Sequence, residues 1–100
     1  MIRGTTPTHI FRLQVETAAI KELRITYEQY GRVVVEKTET EVLMESKEIR
    51  LKLTQEETLA FRPNVSVQLQ LKILTKDNSV LACPIMDIPV EEILSEEVLE

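Results

Sequence analysis

The sequence predicts an all-β fold, an antiparallel immunoglobulin-like β-sandwich of about seven strands within 100 residues. Three observations carry this reading. Apolar and polar residues alternate in period two through several short runs, the pattern of a strand with one buried and one wetted face. Turn-forming residues separate those runs at regular spacing. Only four residues are aromatic (Phe11, Tyr27, Tyr30 and Phe61), so the core must come mostly from Val, Ile and Leu, and the β-branched members of that set favour strands.

The first run, "IFRLQV", sends Phe11, Leu13 and Val15 to one side. Ahead of it lies a polar arm over residues 1–6. Pro7 then fixes φ and biases Thr6 toward extended geometry, so the chain meets the strand already straightened. "ELRITYE" turns Leu23, Ile25 and Tyr27 inward, and "RVVVEK" follows through "QYGR", where Gly31 supplies the positive φ of a tight hairpin. A weaker strand, "EVLME", passes through "ESKE" into "IRLKL", with Ile49, Leu51 and Leu53 on one face and Arg50 and Lys52 on the other.

The clearest signal is "VSVQLQLKIL", residues 65–74, in which Val65, Val67, Leu69, Leu71 and Ile73 alternate with Ser66, Gln68, Gln70 and Lys72. "TKDNS" then turns at Asp77, Asn78 and Ser79. The last run, "VLACPIMDIPV", contains Pro84 and Pro89, neither able to donate a ladder hydrogen bond. It is therefore an edge strand or an interrupted one.

Two segments depart from the β rhythm. In "LTQEETLAF", Thr54 stands three residues before Glu57, the spacing of a capping box, and "RPN" ends the segment. This predicts a short helical turn near residues 55–61 that carries the chain from one sheet to the other. In "VEEILSEEVLE", Val90, Ile93, Leu94 and Val98 fall near helical spacing, a pattern met either by a short C-terminal helix or by a frayed end. Repeats, linkers and low-complexity tracts are absent, so residues 1–100 read as one domain with a polar arm (1–6) and an acidic tail (91–100).

Charge is unevenly placed. Twelve Lys and Arg face seventeen Asp and Glu, a net of −5. Glu91, Glu92, Glu96, Glu97 and Glu100 account for the whole excess, leaving twelve bases against twelve acids over residues 1–90. A neutral body with an acidic end offers nothing to a phosphate backbone, which argues against nucleic-acid binding. No apolar run approaches the roughly 18–20 residues of a membrane span, and Thr5, Thr6, Thr8 and His9 interrupt any leader-like opening. Neither a membrane nor a secretion route is expected. The single cysteine, Cys83, excludes an internal disulfide and fits a reducing compartment.

Catalytic constellations need partners, and few are available. His9 is the only histidine, so a two-histidine metal site cannot be built. A His9–Cys83 nucleophilic pair would require the first and last strands to be neighbours. Cys83 reads more simply as a small, half-buried strand residue. Glu56–Glu57 and Glu91–Glu92 are adjacent in sequence, at a cap and in a tail, and do not form a pair facing across a cleft. "RGTTPT" lacks the second glycine and the lysine of a phosphate-binding loop, and few aromatics are available to line a small-ligand pocket. The expectation is a protein without enzymatic activity, cofactor or metal, whose function resides in its surface.

The opening "MIRGTTPTHIF", the middle "LTQEETLAF" followed by "VQLQLKIL", and the closing "EEILSEEVLE" together resemble, over essentially the full length, a group of short proteins encoded by tailed bacteriophages and prophages of Firmicutes. More distantly, the strand order resembles the immunoglobulin-like N-terminal domain of phage baseplate upper proteins, whose downstream helical and fibre regions are not found in these residues. The resemblance implies a phage-encoded domain made in the cytoplasm of the bacterial host. It would be a structural component of the virion, or of tail or baseplate assembly, touching phage structural proteins or copies of itself. The resemblance carries over no catalytic residue. Arg3, Thr5 and Thr6 of the arm and Glu96 and Glu97 of the tail are the residues favoured for partner contact. The alternative is a small phage-encoded inhibitor that binds a host protein, such as one of a defence system.

Overall fold

The two strongest alternating runs become the two central strands. In the computed structural model, which describes all 100 residues, β2 (Ile20–Gln29) pairs antiparallel with β6 (Val67–Thr75) along most of its length. Leu23, Ile25 and Tyr27 from one strand and Val67, Leu69, Leu71 and Ile73 from the other are buried on a single face. β3 (Arg32–Thr38) flanks β2 through a two-residue hairpin whose central residues, Tyr30 and Gly31, take φ of 52° and 72°. That turn matches the right-handed twist of the flanking strands. On the free side of β6, two three-residue strands, β7 (Val80–Ala82) and β8 (Met86–Ile88), pair with the same edge. The Cys83–Ile85 segment that separates them carries Pro84, so this is the interrupted strand that the prolines predict.

A second antiparallel sheet has the order β1-β5-β4, with β1 (Thr8–Arg12), β4 (Leu43–Glu45) and β5 (Glu48–Lys52). The two sheets face each other across one core of fifteen buried apolar side chains, an all-β sandwich of eight strands. It shares the two-sheet architecture of immunoglobulin domains, with its own strand order. The helix α1 (Gln55–Leu59) makes the cross-over from β5 in the small sheet to β6 in the large one. Its capping box is complete: the Thr54 hydroxyl accepts from the Glu57 amide at 3.1 Å, and the Glu57 carboxylate accepts from the Thr54 amide at 2.9 Å. A 3₁₀ turn over Glu39–Glu41 is capped the same way by Thr38 and Glu41.

Three expectations need correction. β1 ends at Arg12, the last residue in register with β5, and the Leu13 amide makes one further bond to the Lys47 carbonyl at 2.7 Å; Phe11 is buried, whereas Leu13 and Val15 lie half-buried beyond the strand. Val65 is likewise half-buried and precedes β6. The tail forms no helix. Residues 89–91 are held extended against the N-terminus, and the nine that remain are fewer than the ~12–15 an unsupported helix requires.

The small sheet is narrower than the large one, and the shortfall falls at the β7–β8 edge. Leu81 is in register with Ile73, and Met86 with Leu69. Cross-strand partners share a face, yet Ile73 and Leu69 are buried while Leu81 and Met86 are 44% and 40% exposed.

The cross-over depends on its cap. Replacing Thr54 with Ala removes the acceptor for the Glu57 amide and should cost about 1 kcal/mol. The check is a urea midpoint shifted downward with an unchanged slope.

Candidate functional site

The polar arm is not a loose end. The Met1 ammonium donates to the Pro89 carbonyl at 2.8 Å, the Glu91 amide donates to Met1 at 2.8 Å, and the Arg3 amide donates to Glu91 at 3.0 Å. Residues 1–3 thus run parallel to 89–91, which directly continue β8. Gly4 then turns the chain with φ of 76°. A Cβ there would lie 3.2 Å from Leu59 Cδ2 and 3.4 Å from Ile93 Cδ1, so both the backbone and the space favour glycine. The Thr5 hydroxyl closes this turn on the Ile2 carbonyl at 2.6 Å, and the Thr5 carbonyl accepts from the buried Thr58 hydroxyl at 2.8 Å.

Arg3 is the node of this arrangement, its side chain only 11% exposed. Nε donates to the Phe61 carbonyl at 2.7 Å and Nη2 to the Leu59 carbonyl at 2.9 Å. Both carbonyls lie at the C-terminal end of α1, where the helix leaves acceptors unfilled. The rest of the guanidinium meets the tail, with Nη1 2.5 Å from Glu92 Oε1 and Nη2 3.1 Å from Glu96 Oε2. The Ile93 amide and then Arg3 hold the Glu92 carboxyl below the usual carboxylate range. Gln55 makes a second attachment. Its side-chain amide donates to the Leu99 carbonyl at 2.8 Å and accepts from the Leu99 amide at 2.9 Å, reading extended backbone as one rung of a ladder would.

Of the residues favoured from sequence, Arg3 and Glu96 are brought together, Thr5 supports the turn beneath them, and Thr6 and Glu97 are exposed. Sequence reasoning missed Glu92, Gly4 and Gln55. Gln55 lies in the first turn of α1, where it read only as part of the cap.

A second polar group lies inside the sandwich. Tyr27 is fully buried, its hydroxyl 2.6 Å from His9 Nδ1 and its ring 5.9 Å from that of Phe61. Burial, and then the Glu57 charge, push the phenol well above its ordinary value. The phenol therefore stays protonated, and the direction of its hydrogen bond with Nδ1 follows the tautomer of the imidazole. Burial, and then the amino terminus, hold the imidazole below its ordinary value. Beside them Lys37 pairs with Glu57. Burial raises the Glu57 carboxyl, but Lys37 and the Thr54 amide outweigh it and hold the group low. Cys83 sits apart on the sheet edge, its sulfur accepting from the Leu71 amide at 3.2 Å.

The uncovered edge forms the third feature. Val80, Leu81, Ile85 and Met86 are exposed within seven positions. Leu81 and Met86 share the core-side face with Ile73 and Leu69, whereas Val80, opposite Leu74, is on the outer face. Between Leu81 and the bend after β1 runs a groove of about 530 Å³, lined by Leu13, Val15, Leu71, Ile73, Leu81 and Cys83 among others. No group of three or more His, Cys, Asp or Glu side chains is placed to hold a metal ion, and no helix is long and apolar enough to cross a membrane.

No protein-family model matches this chain, and no curated protein or solved structure matches it either.

Two outcomes follow from the geometry. The unfolded chain takes up a proton on its histidine near the ordinary value of 6.5, before folded His9 does. Stability therefore falls as pH drops below that value. Melting temperature should decline between about pH 7 and pH 5.5, and His9→Gln, which keeps an acceptor for Tyr27 but does not titrate, should flatten that limb. Replacing Arg3 with Gln should release the tail. The Leu99 amide, protected in the parent by Gln55, should then exchange with solvent deuterium at least tenfold faster, a gain expected for local opening of a segment held by few contacts.

Proposed function

We propose that this chain is a non-enzymatic module that works through protein–protein contacts in the assembly of a phage tail or baseplate. The observation that carries the contact reading is the uncovered β7–β8 edge, where Leu81 and Met86 stand partly in water on the core-side face, Leu81 lining an apolar groove, while Val80 and Ile85 are exposed on the outer face. Exposed large apolar side chains gathered along one edge and beside a groove mark an interaction surface. An edge strand with its outer hydrogen-bonding groups unpaired adds a means of docking. The phage setting rests on the resemblance of the arm, the cross-over helix and the tail to phage proteins. In that setting the partners are phage structural proteins or further copies of the chain, met in the bacterial cytoplasm and retained in the virion. Of the residues favoured for contact, Thr6 and Glu97 are free to reach a partner, whereas Arg3 is engaged within its own chain.

Purified particles of the encoding phage should contain the protein at a fixed copy number by quantitative mass spectrometry. Leu81→Lys with Met86→Lys, on positions already in water, should leave the fold intact and deplete the protein from particles. Particles that lack the parent protein, together with stoichiometric capture of one host protein, would instead establish the inhibitor reading.

A further inference from the structure

We propose that the groove between the β2–β3 hairpin and the end of α1 is a docking site for an acidic segment of a partner protein, its carboxylates held by Arg32 and Arg62 beside the ring of Tyr30. The assignment rests on the reading of the chain as a contact module. It adds a second surface, at the β3 margin of the large sheet and away from β7–β8.

Of the six arginines, Arg3, Arg12, Arg24 and Arg50 each meet a carboxylate of their own chain, whereas Arg32 and Arg62 meet none. The two unmatched cations are not scattered. Both are exposed and both line one groove of about 550 Å³, with Gln29, Tyr30, Val34 and Ala60, and no acid lines it. A single buried residue holds the pair in place. Gln29, only 4% exposed, is the cross-strand partner of Arg32. Its side-chain amide accepts from the Arg62 amide at 2.7 Å and donates to the Arg62 carbonyl at 3.0 Å. The Arg62 guanidinium lies 5.7 Å from the centre of the Tyr30 ring. Both backbones and one guanidinium are thus set before any ligand arrives, which reduces the ordering that binding requires.

Tyr30 is the telling member. Its φ of 52° is one that bulky side chains rarely take, and a two-residue hairpin turn is served best by Asn before Gly. The ring is 70% exposed, so burial in the core does not account for it. What the ring does is present a face to Arg62, and strain kept at a surface position points to use. The lining also selects among anions. It offers two guanidiniums, whose planar forks match carboxylates, beside the apolar surface of Tyr30, Val34 and Ala60. It has no lysine, serine or threonine to wrap a phosphate. β3 carries no strand on its outer side, which leaves room for an extended segment whose acids alternate with apolar side chains. Tyr and Arg are also the residue types on which protein interfaces concentrate their binding energy.

The test titrates the full-length chain, labelled with nitrogen-15, with a capped Glu-Val-Glu-Val-Glu peptide and its Gln-Val-Gln-Val-Gln counterpart. The acidic peptide should shift the backbone amide signals of residues 30–34 and 60–62 and saturate, and the glutamine peptide should not. Arg32→Gln with Arg62→Gln should weaken binding about tenfold or more, the loss expected when central arginines are removed. Tyr30→Asn separates a binding role from a structural one. Its melting temperature should hold or rise, because Asn-Gly suits the turn, while its affinity for the acidic peptide falls. If the double arginine variant misfolds, Tyr30→Asn decides the matter. No saturable shift at these residues, an equal response to the glutamine peptide, or unchanged affinity in Tyr30→Asn overturns the site. Equal shifts from inorganic phosphate at matched concentration reduce it to a simple anion site and overturn the peptide assignment. A negative titration of a protein that is present in particles rejects this site alone. Peptide binding by a protein absent from particles rejects the assembly reading and leaves the site standing.

Discussion

The structure depends on a mismatch of widths: a three-stranded sheet must cover the buried face of a five-stranded one. Every apolar residue on that face needs a cover, and a narrow sheet cannot supply it at both margins. On one side the cross-over does so. Phe61, just past α1, packs its ring on Tyr27, and Val90 closes the core beside the paired N-terminus. On the other side only the bend after β1 reaches out, and Leu81 and Met86 remain wet. The clasped termini and the open edge are thus two results of one constraint. Residues 1–3 and 89–91 finish the core on one margin, and none of these 100 residues covers Leu81 and Met86 on the other.

The covered margin brings polar groups inside with it, and each finds a partner. Gln29 is buried at the end of β2, where its amide donates to the Arg62 and Val65 carbonyls and accepts from the Arg62 amide. It holds the irregular stretch after α1 in place of a strand ladder. Thr58 links the helix to Thr5, and Tyr27 links the large sheet to His9 on the small one. No buried side-chain nitrogen or oxygen lacks a partner. An orphaned group of this kind costs about 1–3 kcal/mol, so these bonds specify which loop lies over which strand as much as they stabilise it.

What could be read in the sequence was what is local. Alternation over Val67–Thr75, the Thr54–Glu57 box and the interruption at Pro84 each express a rule spanning a few residues, and each appears in the fold. Two further local signals were present and passed over. Thr38–Glu41 repeats the capping-box spacing, and Tyr30 beside Gly31 shares the positive φ that a two-residue hairpin asks of both positions. The candidate site was out of reach for a different reason. Arg3 and Glu92 stand 89 positions apart, and Gln55 and Leu99 stand 44 apart. Their meeting depends on residues 89–91, beyond β8, running beside residues 1–3, a tertiary outcome with no periodic trace. The arm and the tail each read correctly as polar or acidic, but nothing local shows that they bind each other.

Segregation of charge makes this clasp sensitive to salt. Residues 1–90 are formally neutral and the tail carries the whole net of −5, so two copies repel chiefly through their tails. That repulsion acts through water and is screened beyond about 8 Å at physiological ionic strength. The Arg3 contact acts at short range: two carbonyls fix its guanidinium, but the Glu92 and Glu96 side chains are 51% and 65% exposed, so salt weakens these ion pairs as well. Salt therefore weakens both the long-range repulsion and the ion pairs, and leaves the guanidinium's bonds to the Phe61 and Leu59 carbonyls. Placing the acids in one end beside a cation fixed by two carbonyls lets the tail fold back on its own body, where Arg3 offsets part of the charge of Glu92 and Glu96.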